Sequence, residues 1–317
     1  MSSDMVENGS GENVRDLIDE MLAEDDFDKR SELADKVLSI DRENPIAKYT
    51  KWQLLDENES MEQVSLLRDS VNILRSSIES HEENVDEETY TTYLAMLADF
   101  TSILYFKGEK DAAFKAAQEL IDLDDDGFIQ GRIVYYSVLI ERGEYQRVID
   151  AVEADICETP VGGYCRAIAL LELGGEADDA SDAVLQAISL DPDMAFYVTD
   201  IWTLDESEIE EMFDDDMYID SLIMQTFVLT DLWSSSDERL EFLSSIVFTF
   251  GYLTGRVTEP EDLAAFEEKY KNAGCLDEMR EARDTIHAMQ ADGKEQDEVD
   301  EEALLLFKDM RDRGLFS

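Results

Sequence analysis

The chain has 317 residues, of which 78 are acidic and 26 are basic, so that its net charge is −52 at neutral pH. This excess of carboxylates excludes ordinary nucleic-acid binding, which needs lysine and arginine against the phosphates, and it argues against docking on anionic membranes. Only four prolines and 15 glycines interrupt a chain rich in leucine, alanine, glutamate and aspartate, and this composition favours helices over sheets.

The acidity itself has two interpretations. It can serve solubility, including adaptation to a salty cytoplasm, because dissolved ions screen the self-repulsion of the chain. Alternatively, an acidic surface attracts a basic partner or mimics nucleic acid. Because the acidic residues are spread along the whole chain, we favour the first interpretation.

The beginning of the chain and its cysteines indicate the compartment. Residues 1–12 are polar and acidic, so we expect a disordered lead and not a secretory signal. Cys157, Cys165 and Cys275 form no CxxC motif, and an odd number of cysteines without a signal peptide fits a reducing cytosol. We therefore expect a cytoplasmic protein.

The spacing of apolar residues in the first part of the chain predicts helices that each have one apolar face. Residues 13–24 and 28–40 form a first pair, and Pro45 opens the next helix. Residues 60–82 form a longer helix, for which Ser60 is the expected N-cap.

Residues 92–192 are organised by glycines at near-regular intervals. Gly108, Gly143 and the pair Gly174–Gly175 are separated by 35 and 32 residues, counting to Gly175. Each glycine follows one apolar, helix-periodic segment and precedes another. Self-similarity at this period is typical of a stacked helical repeat.

The best-formed unit is the segment GGEADDASDAVLQAISLDP. Gly175 stands at the expected turn, Ala180 and Ala187 stand at close-packed positions of the second helix, and Pro192 ends the unit. In these features the segment resembles the tetratricopeptide repeat (TPR), which has a small residue at the turn, alanines in the second helix and a terminal proline. A second match, DFDKRSELADKVLSIDRENP, ends at Pro45.

The resemblance implies an all-α fold, an α–α superhelix in which antiparallel helix pairs form a TPR-like solenoid. We assign residues 13–192 to these repeats and residues 193–294 to degenerate helical repeats. Residues 217–234 and 237–255 are the most apolar helices of the degenerate part. We interpret residues 295–317 as an acidic linker followed by a C-terminal helix that caps the last repeat against an acidic surface.

One acidic segment partly matches a calcium-binding loop. In DLDDDGFIQGRI, Asp122, Asp124 and Asp126 occupy ligand positions one, three and five of an EF-hand, and Gly127 occupies position six. Position twelve should be a bidentate glutamate, but it is Ile133. The same segment falls where the repeat needs a polar loop, so we expect no metal and no other cofactor.

The sequence offers no catalytic motif. Its only histidines are His81 and His287, and neither lies beside a cysteine motif. No P-loop, GxGxxG or GxSxG motif occurs, and carboxylates are too numerous for any pair to stand out as an acid–base couple. We therefore expect a protein that is not an enzyme.

The leading hypothesis for function is a scaffold that binds a protein or peptide partner on the concave face of the repeats. Tyr135, Tyr136 and Tyr164 are the candidate contacts, because tyrosine is enriched at interfaces, although core packing explains each of them equally well. Two rivals are an acidic decoy that occupies a basic nucleic-acid-binding protein and a minor enzyme role in the C-terminal half.

Overall fold

The computed structural model describes residues 13–55, 60–80, 87–123, 129–203 and 216–315. These ranges contain 16 α-helices and no strand, which confirms the all-α fold. The expected lead at residues 1–12 and the side chain of Ser60 lie outside the described part of the chain.

The chain divides into two compact units, Met1–Val134 and Tyr135–Ser317. The helices that begin in the first unit are α1 Val14–Leu22, α2 Phe27–Ile40, α3 Pro45–Gln53, α4 Ser60–Ser80, α5 Glu87–Phe106, α6 Lys110–Leu123 and α7 Ile129–Glu141. From α1 to α6, each helix packs against the next one in the chain. The first unit is therefore built from contacts between sequence neighbours, as helical repeats are.

Polar side chains define where the first helices begin. The side chains of Asn13, Asp26 and Asn44 each accept a hydrogen bond from a backbone N–H in the first turn of the helix that follows. These N-caps satisfy backbone donors that have no partner within the helix. Pro45 occupies the first turn of α3, where its missing N–H costs nothing.

A polar network ties α4, α5 and α6 together in the first unit. Arg75 binds both carboxylate oxygens of Glu119, at 2.8 and 2.7 Å, and the hydroxyl of Tyr93 donates to the same carboxylate. Burial, together with the neighbouring Glu119, raises the pKa of Tyr93. The network uses a bidentate arginine–carboxylate pair, which is the most specific geometry available to an ion pair.

The second unit contains nine further helices among its described residues. They are α8 Tyr145–Ala154, α9 Pro160–Glu172, α10 Ala177–Leu190, α11 Met194–Val198, α12 Asp216–Ser234, α13 Asp237–Thr254, α14 Pro260–Ala273, α15 Leu276–Ala291 and α16 Gln296–Asp312. The long helices expected at residues 217–234 and 237–255 are both present, as α12 and α13. None of the helices in the described ranges is long and apolar enough to cross a membrane.

The expected glycine turns are present, with one shift of position. Gly108 and Gly143 have φ values of +77° and +69°, in the left-handed region that disfavours a Cβ atom. At the third turn the left-handed residue is Gly174, with φ of +69°, and not Gly175.

The second unit also shows the close helix packing expected from small residues. Ala180 and Ala187 of α10 are fully buried. A Cβ atom on Gly163 of α9 would lie only 2.8 Å from the Ala187 Cβ and 2.8 Å from the Ala183 carbonyl oxygen. Gly163 therefore allows α9 and α10 to approach closely.

The acidic linker expected after residue 294 is instead part of a helix. Residues Gln296–Asp312 form one continuous helix, α16. Its basic residues contact an acidic residue of α10 in the same chain, since Arg311 lies 2.9 Å and Lys308 lies 3.6 Å from Asp182. Its buried apolar residues are Val299, Ala303, Leu304, Phe307 and Met310.

Candidate functional site

Two of the three candidate contact tyrosines are buried in the core of the second unit. Tyr136 is 2% exposed and Tyr164 is fully buried, so neither can offer its ring to a partner. The Tyr136 hydroxyl donates to Asp155 at 2.8 Å, which ties α7 to the end of α8. The prediction of partner contacts is therefore corrected to core packing for these two residues, and only Tyr135 is partly exposed.

The calcium-loop candidates are only partly described. Asp122 is exposed near the end of α6, while Asp124 and Asp126 lie outside the described residues. Among the residues that the structure describes, no cluster of histidine, cysteine, aspartate and glutamate is arranged to hold a metal ion.

A groove, here called the α13 groove, runs along the exposed side of α13. It consists of two adjoining hollows of about 360 Å³ each, which share Glu241, Ser245 and Lys269. Residues of α13 that line it are Glu238, Glu241, Phe242, Ser244, Ser245, Ile246, Phe248 and Thr249. Residues of other helices that line it are Ala177, Asp178, Ser181, Asp262, Ala265, Phe266, Lys269, Phe307 and Arg311.

Helical periodicity explains why these residues face one groove. On α13 the outer lining positions recur at Glu238, Glu241, Ser245 and Phe248, which are three or four residues apart and so lie on one side of the helix. On α14 the positions 262, 265, 266 and 269 recur in the same way. One hollow thus lies between matched faces of α13 and α14, while the other is bounded mainly by α13, α10 and α16.

Aromatic stacking holds α13 and α14 together beneath the groove. The ring centroid of Phe266 lies 5.8 Å from that of Phe248 and 4.6 Å from that of Tyr252, and both pairs are stacked. Phe266 also lies 4.5 Å from Tyr270. Bulky rings therefore set the spacing of the two helices, and Ser244, Ser245 and Ala265 line the same hollow beside them.

The rim of the α13 groove carries more negative than positive groups. Its carboxylates are Asp178, Glu238, Glu241 and Asp262, and its cations are Lys269 and Arg311. Arg311 is already engaged, since it approaches Asp178 at 3.8 Å and pairs with Asp182 at 2.9 Å.

The remaining rim acids differ in their surroundings. Glu238 accepts a hydrogen bond from the Ser236 hydroxyl at 2.8 Å, and this bond lowers the pKa of Glu238. Glu241 and Asp262 form no ion pair within the described part of the chain. The rim therefore offers carboxylates that a cationic partner could approach.

A larger groove of about 780 Å³ lies on the other side of α16, between α10 and α16. Its carboxylates include Asp182 and Asp300, and both are already paired, Asp182 with Arg311 and Asp300 with Arg256. Leu305 is 56% exposed at its edge. Its two other carboxylates are exposed, as those of the α13 groove are. Unlike the α13 groove, however, this α10–α16 groove has no aromatic side chain in its lining, so it offers a partner less apolar contact.

The fold and the grooves define an all-α protein with an uncovered helical surface. No protein-family model matches the chain, and no curated protein matches it. The resemblance to tetratricopeptide repeats therefore stays a prediction from the residues, and function has to be argued from the geometry.

Sequence reasoning missed the α13 groove. Phe242 begins a long uncharged run, and an uncharged run does not show which of its residues stay at the surface. The signal was present in the repeat of Glu238, Glu241, Ser245 and Phe248, a semi-polar stripe on an otherwise apolar helix.

Proposed function

We propose that the protein is a non-catalytic interaction protein that binds a segment of a partner protein in the α13 groove. The observation that carries the proposal is a concave strip of aromatic and small residues that no helix of the described chain covers. Aromatic side chains are enriched at the centres of protein interfaces, where most binding energy arises.

We also propose that the helix pairs follow the TPR pattern, as an α–α superhelix, and that the protein acts in the cytoplasm. Support for the pattern comes from the left-handed glycines at residues 108, 143 and 174 and from the close contact of Gly163 with Ala187. Support for the compartment comes from the three cysteines, all of which are free thiols.

The groove can be tested at two neighbouring alanines. Ala264 and Ala265 are both exposed on α14, but only Ala265 lines the groove. A photo-reactive phenylalanine derivative placed at Ala265 in the full-length chain should cross-link to a partner in the cells that produce the protein. The same residue placed at Ala264 should not.

The captured partner is then purified and titrated with two variants. Ala265→Phe fills the groove, so the affinity should fall at least about tenfold, whereas Ala264→Phe should change it less than about twofold. Equal affinities for the two variants would refute the proposed site. If both variants bind equally at low salt and both lose the partner at moderate salt, the result would instead favour an acidic decoy, whose binding depends on net charge.

A further inference from the structure

We infer that the occupant of the α13 groove is a cationic amphipathic helix of about three turns. This inference rests on the proposed function and specifies the chemistry of the partner. It follows from the length of the groove, from the polar groups of a bound backbone, from the small residues in its lining, and from the charge of the rim.

The length of the groove sets the size of the occupant. The lining residues of α13 extend from Glu238 to Thr249. At 1.5 Å per residue they span about 16 Å, which is the length of a helix of about three turns. A strand of the same length would contain only about five residues.

The groove walls favour a helix over a strand for a second reason. A strand brings unpaired backbone N–H and C=O groups, which need partners when they leave water. The walls are faces of α10, α13, α14 and α16, whose own backbone groups are bonded within each helix. Because such walls cannot pair with a strand, an occupant that satisfies its own backbone fits best.

Small residues in the lining of the groove allow a helix to come close. Ser244 and Ser245 of α13 and Ala265 of α14 line the same hollow. Small side chains reduce the distance at which two helix axes can pack, while Phe242 and Phe248 give apolar contacts on either side. The occupant should therefore carry apolar residues at positions i, i+3 or i+4, and i+7.

The rim carries four carboxylates against the two cations Lys269 and Arg311, so its net charge favours a cationic occupant. Glu241 and Asp262 are exposed on opposite walls, and neither forms an ion pair within the described residues. Lysine or arginine flanking the apolar stripe would meet these carboxylates. A second copy of this chain is disfavoured, because each copy carries a net charge of −52.

The chain already uses this recognition within itself. The helix α16 buries Phe307 and Met310 against other helices of the second unit and places Arg311 2.9 Å from Asp182 of α10. This helix thus has an apolar face with cations beside it and packs against the acidic helix α10. The α13 groove lies directly beside this contact, since Phe307 and Arg311 form part of its wall.

The probe for this inference is a displayed library of random peptides of about 14 residues, long enough for three helical turns. The full-length protein is the bait in about 0.3 M KCl, which shortens the range of non-specific attraction to the acidic surface. Peptides that bind the Ala264→Phe variant are kept, and those that also bind the Ala265→Phe variant are discarded. Circular dichroism of both variants confirms that they are folded.

We expect the surviving peptides to be rich in lysine and arginine, with apolar residues at helical spacing. Neutral or acidic peptides, or peptides with proline or an alternating apolar pattern, would overturn the inference while leaving the proposed groove intact. If no peptide distinguishes the two variants, the proposed function itself fails.

A second measurement tests the charge of the rim with one selected peptide. Glu241 lines the groove, whereas Glu268 is exposed on α14 outside it. Fluorescence anisotropy should show that Glu241→Lys weakens binding about five- to tenfold, and that Glu268→Lys, which changes the net charge equally, has an effect below about twofold. Equal effects would show that only the overall charge attracts the peptide, and they would overturn the inference.

Discussion

Arg256 and Asp300 form a bidentate ion pair inside the second unit, with nitrogen–oxygen distances of 2.6 and 2.8 Å. The side chains are only 13% and 6% exposed. Arg256 follows α13 and also pairs with Asp193 at 2.9 Å, so it joins three parts of the chain. Burial acts to lower the pKa of Arg256, but Asp300 and Asp193 outweigh it and raise that pKa.

Breaking this pair from one side should be costly. Asp300→Asn keeps the shape of the side chain but leaves the buried Arg256 charge without its main partner, so we expect a loss of about 3–5 kcal/mol in the free energy of unfolding. The double change Arg256→Met with Asp300→Leu removes both charges and should recover most of this loss. Urea unfolding measures all three proteins. An Asp300→Asn protein that is as stable as the parent would contradict the prediction.

The contact between α9 and α10 predicts opposite outcomes at two adjacent glycines. A Cβ atom on Gly163 would lie 2.8 Å from Ala187, whereas one on Gly162 would meet its nearest neighbour, Thr159, at 3.3 Å. Alanine is favoured over glycine in a helix by about 1 kcal/mol, but overpacking costs about 1–3 kcal/mol. Gly163→Ala should therefore lower the thermal midpoint, and Gly162→Ala should leave it unchanged or raise it. A Gly163→Ala protein that melts at or above the parent's midpoint would show that the two helices are not in close contact.

The net charge of −52 predicts that salt stabilises the folded protein. Ions shorten the Debye length from about 30 Å at 0.01 M to about 3 Å at 1 M, which screens the repulsion between carboxylates. Thermal unfolding in increasing KCl should show a rising midpoint. An uncharged osmolality control, such as sorbitol, separates screening from general exclusion effects. A midpoint that is flat or falls with KCl would rule out self-repulsion as an important destabilising term.

Buried phenols and a buried thiol predict a loss of stability at alkaline pH. Burial raises the pKa of Tyr164 and of Cys165, and burial with the nearby Asp99 raises that of Tyr49. The unfolded chain ionises at the ordinary values, about 8.5 for cysteine and about 10 for tyrosine, while the folded chain resists ionisation. The contribution of these groups is therefore complete below those values and declines as pH rises above them.

The alkaline prediction is measured by urea unfolding at pH 7, 9 and about 10.5. Tyrosinate absorbance gives an independent control, since the buried phenols should ionise only as the protein unfolds. Tyrosinate that appears fully in the folded protein at its ordinary pKa would contradict the burial of these residues.

Local signals explain why much of the fold could be predicted from sequence. Helix periodicity, N-caps such as Asn44 and left-handed glycines such as Gly108 act within a few residues, so they can be read without a structure. Residues 295–302 were misjudged as a linker because they are rich in acids. Asp300 can be buried because it pairs with Arg256, which lies 44 positions away. A short stretch of sequence around Asp300 does not include Arg256, so the pairing could not be foreseen.

The candidate site was less predictable for the same reason. Tyr135, Tyr136 and Tyr164 all lie on helices rich in apolar residues, and only packing between helices decides which ring is buried. The α13 groove depends on faces of four helices and on the aromatic spacing set by Phe266. A surface formed by several helices can be recognised only when the tertiary arrangement of those helices is known.

Hydrogen exchange of the full-length protein, with and without a groove-selected peptide, is the sharpest test of whether the α13 groove is the binding site. We expect the peptide to slow exchange in two segments, residues 238–249 of α13 and 262–269 of α14, and we expect Ala265→Phe to abolish this change. Exchange should also slow in the peptide itself, as its amides enter helical hydrogen bonds. Protection confined to the α10–α16 groove around Leu305, or a bound peptide whose amides exchange as fast as in free solution, would show that the α13 groove does not bind a helix.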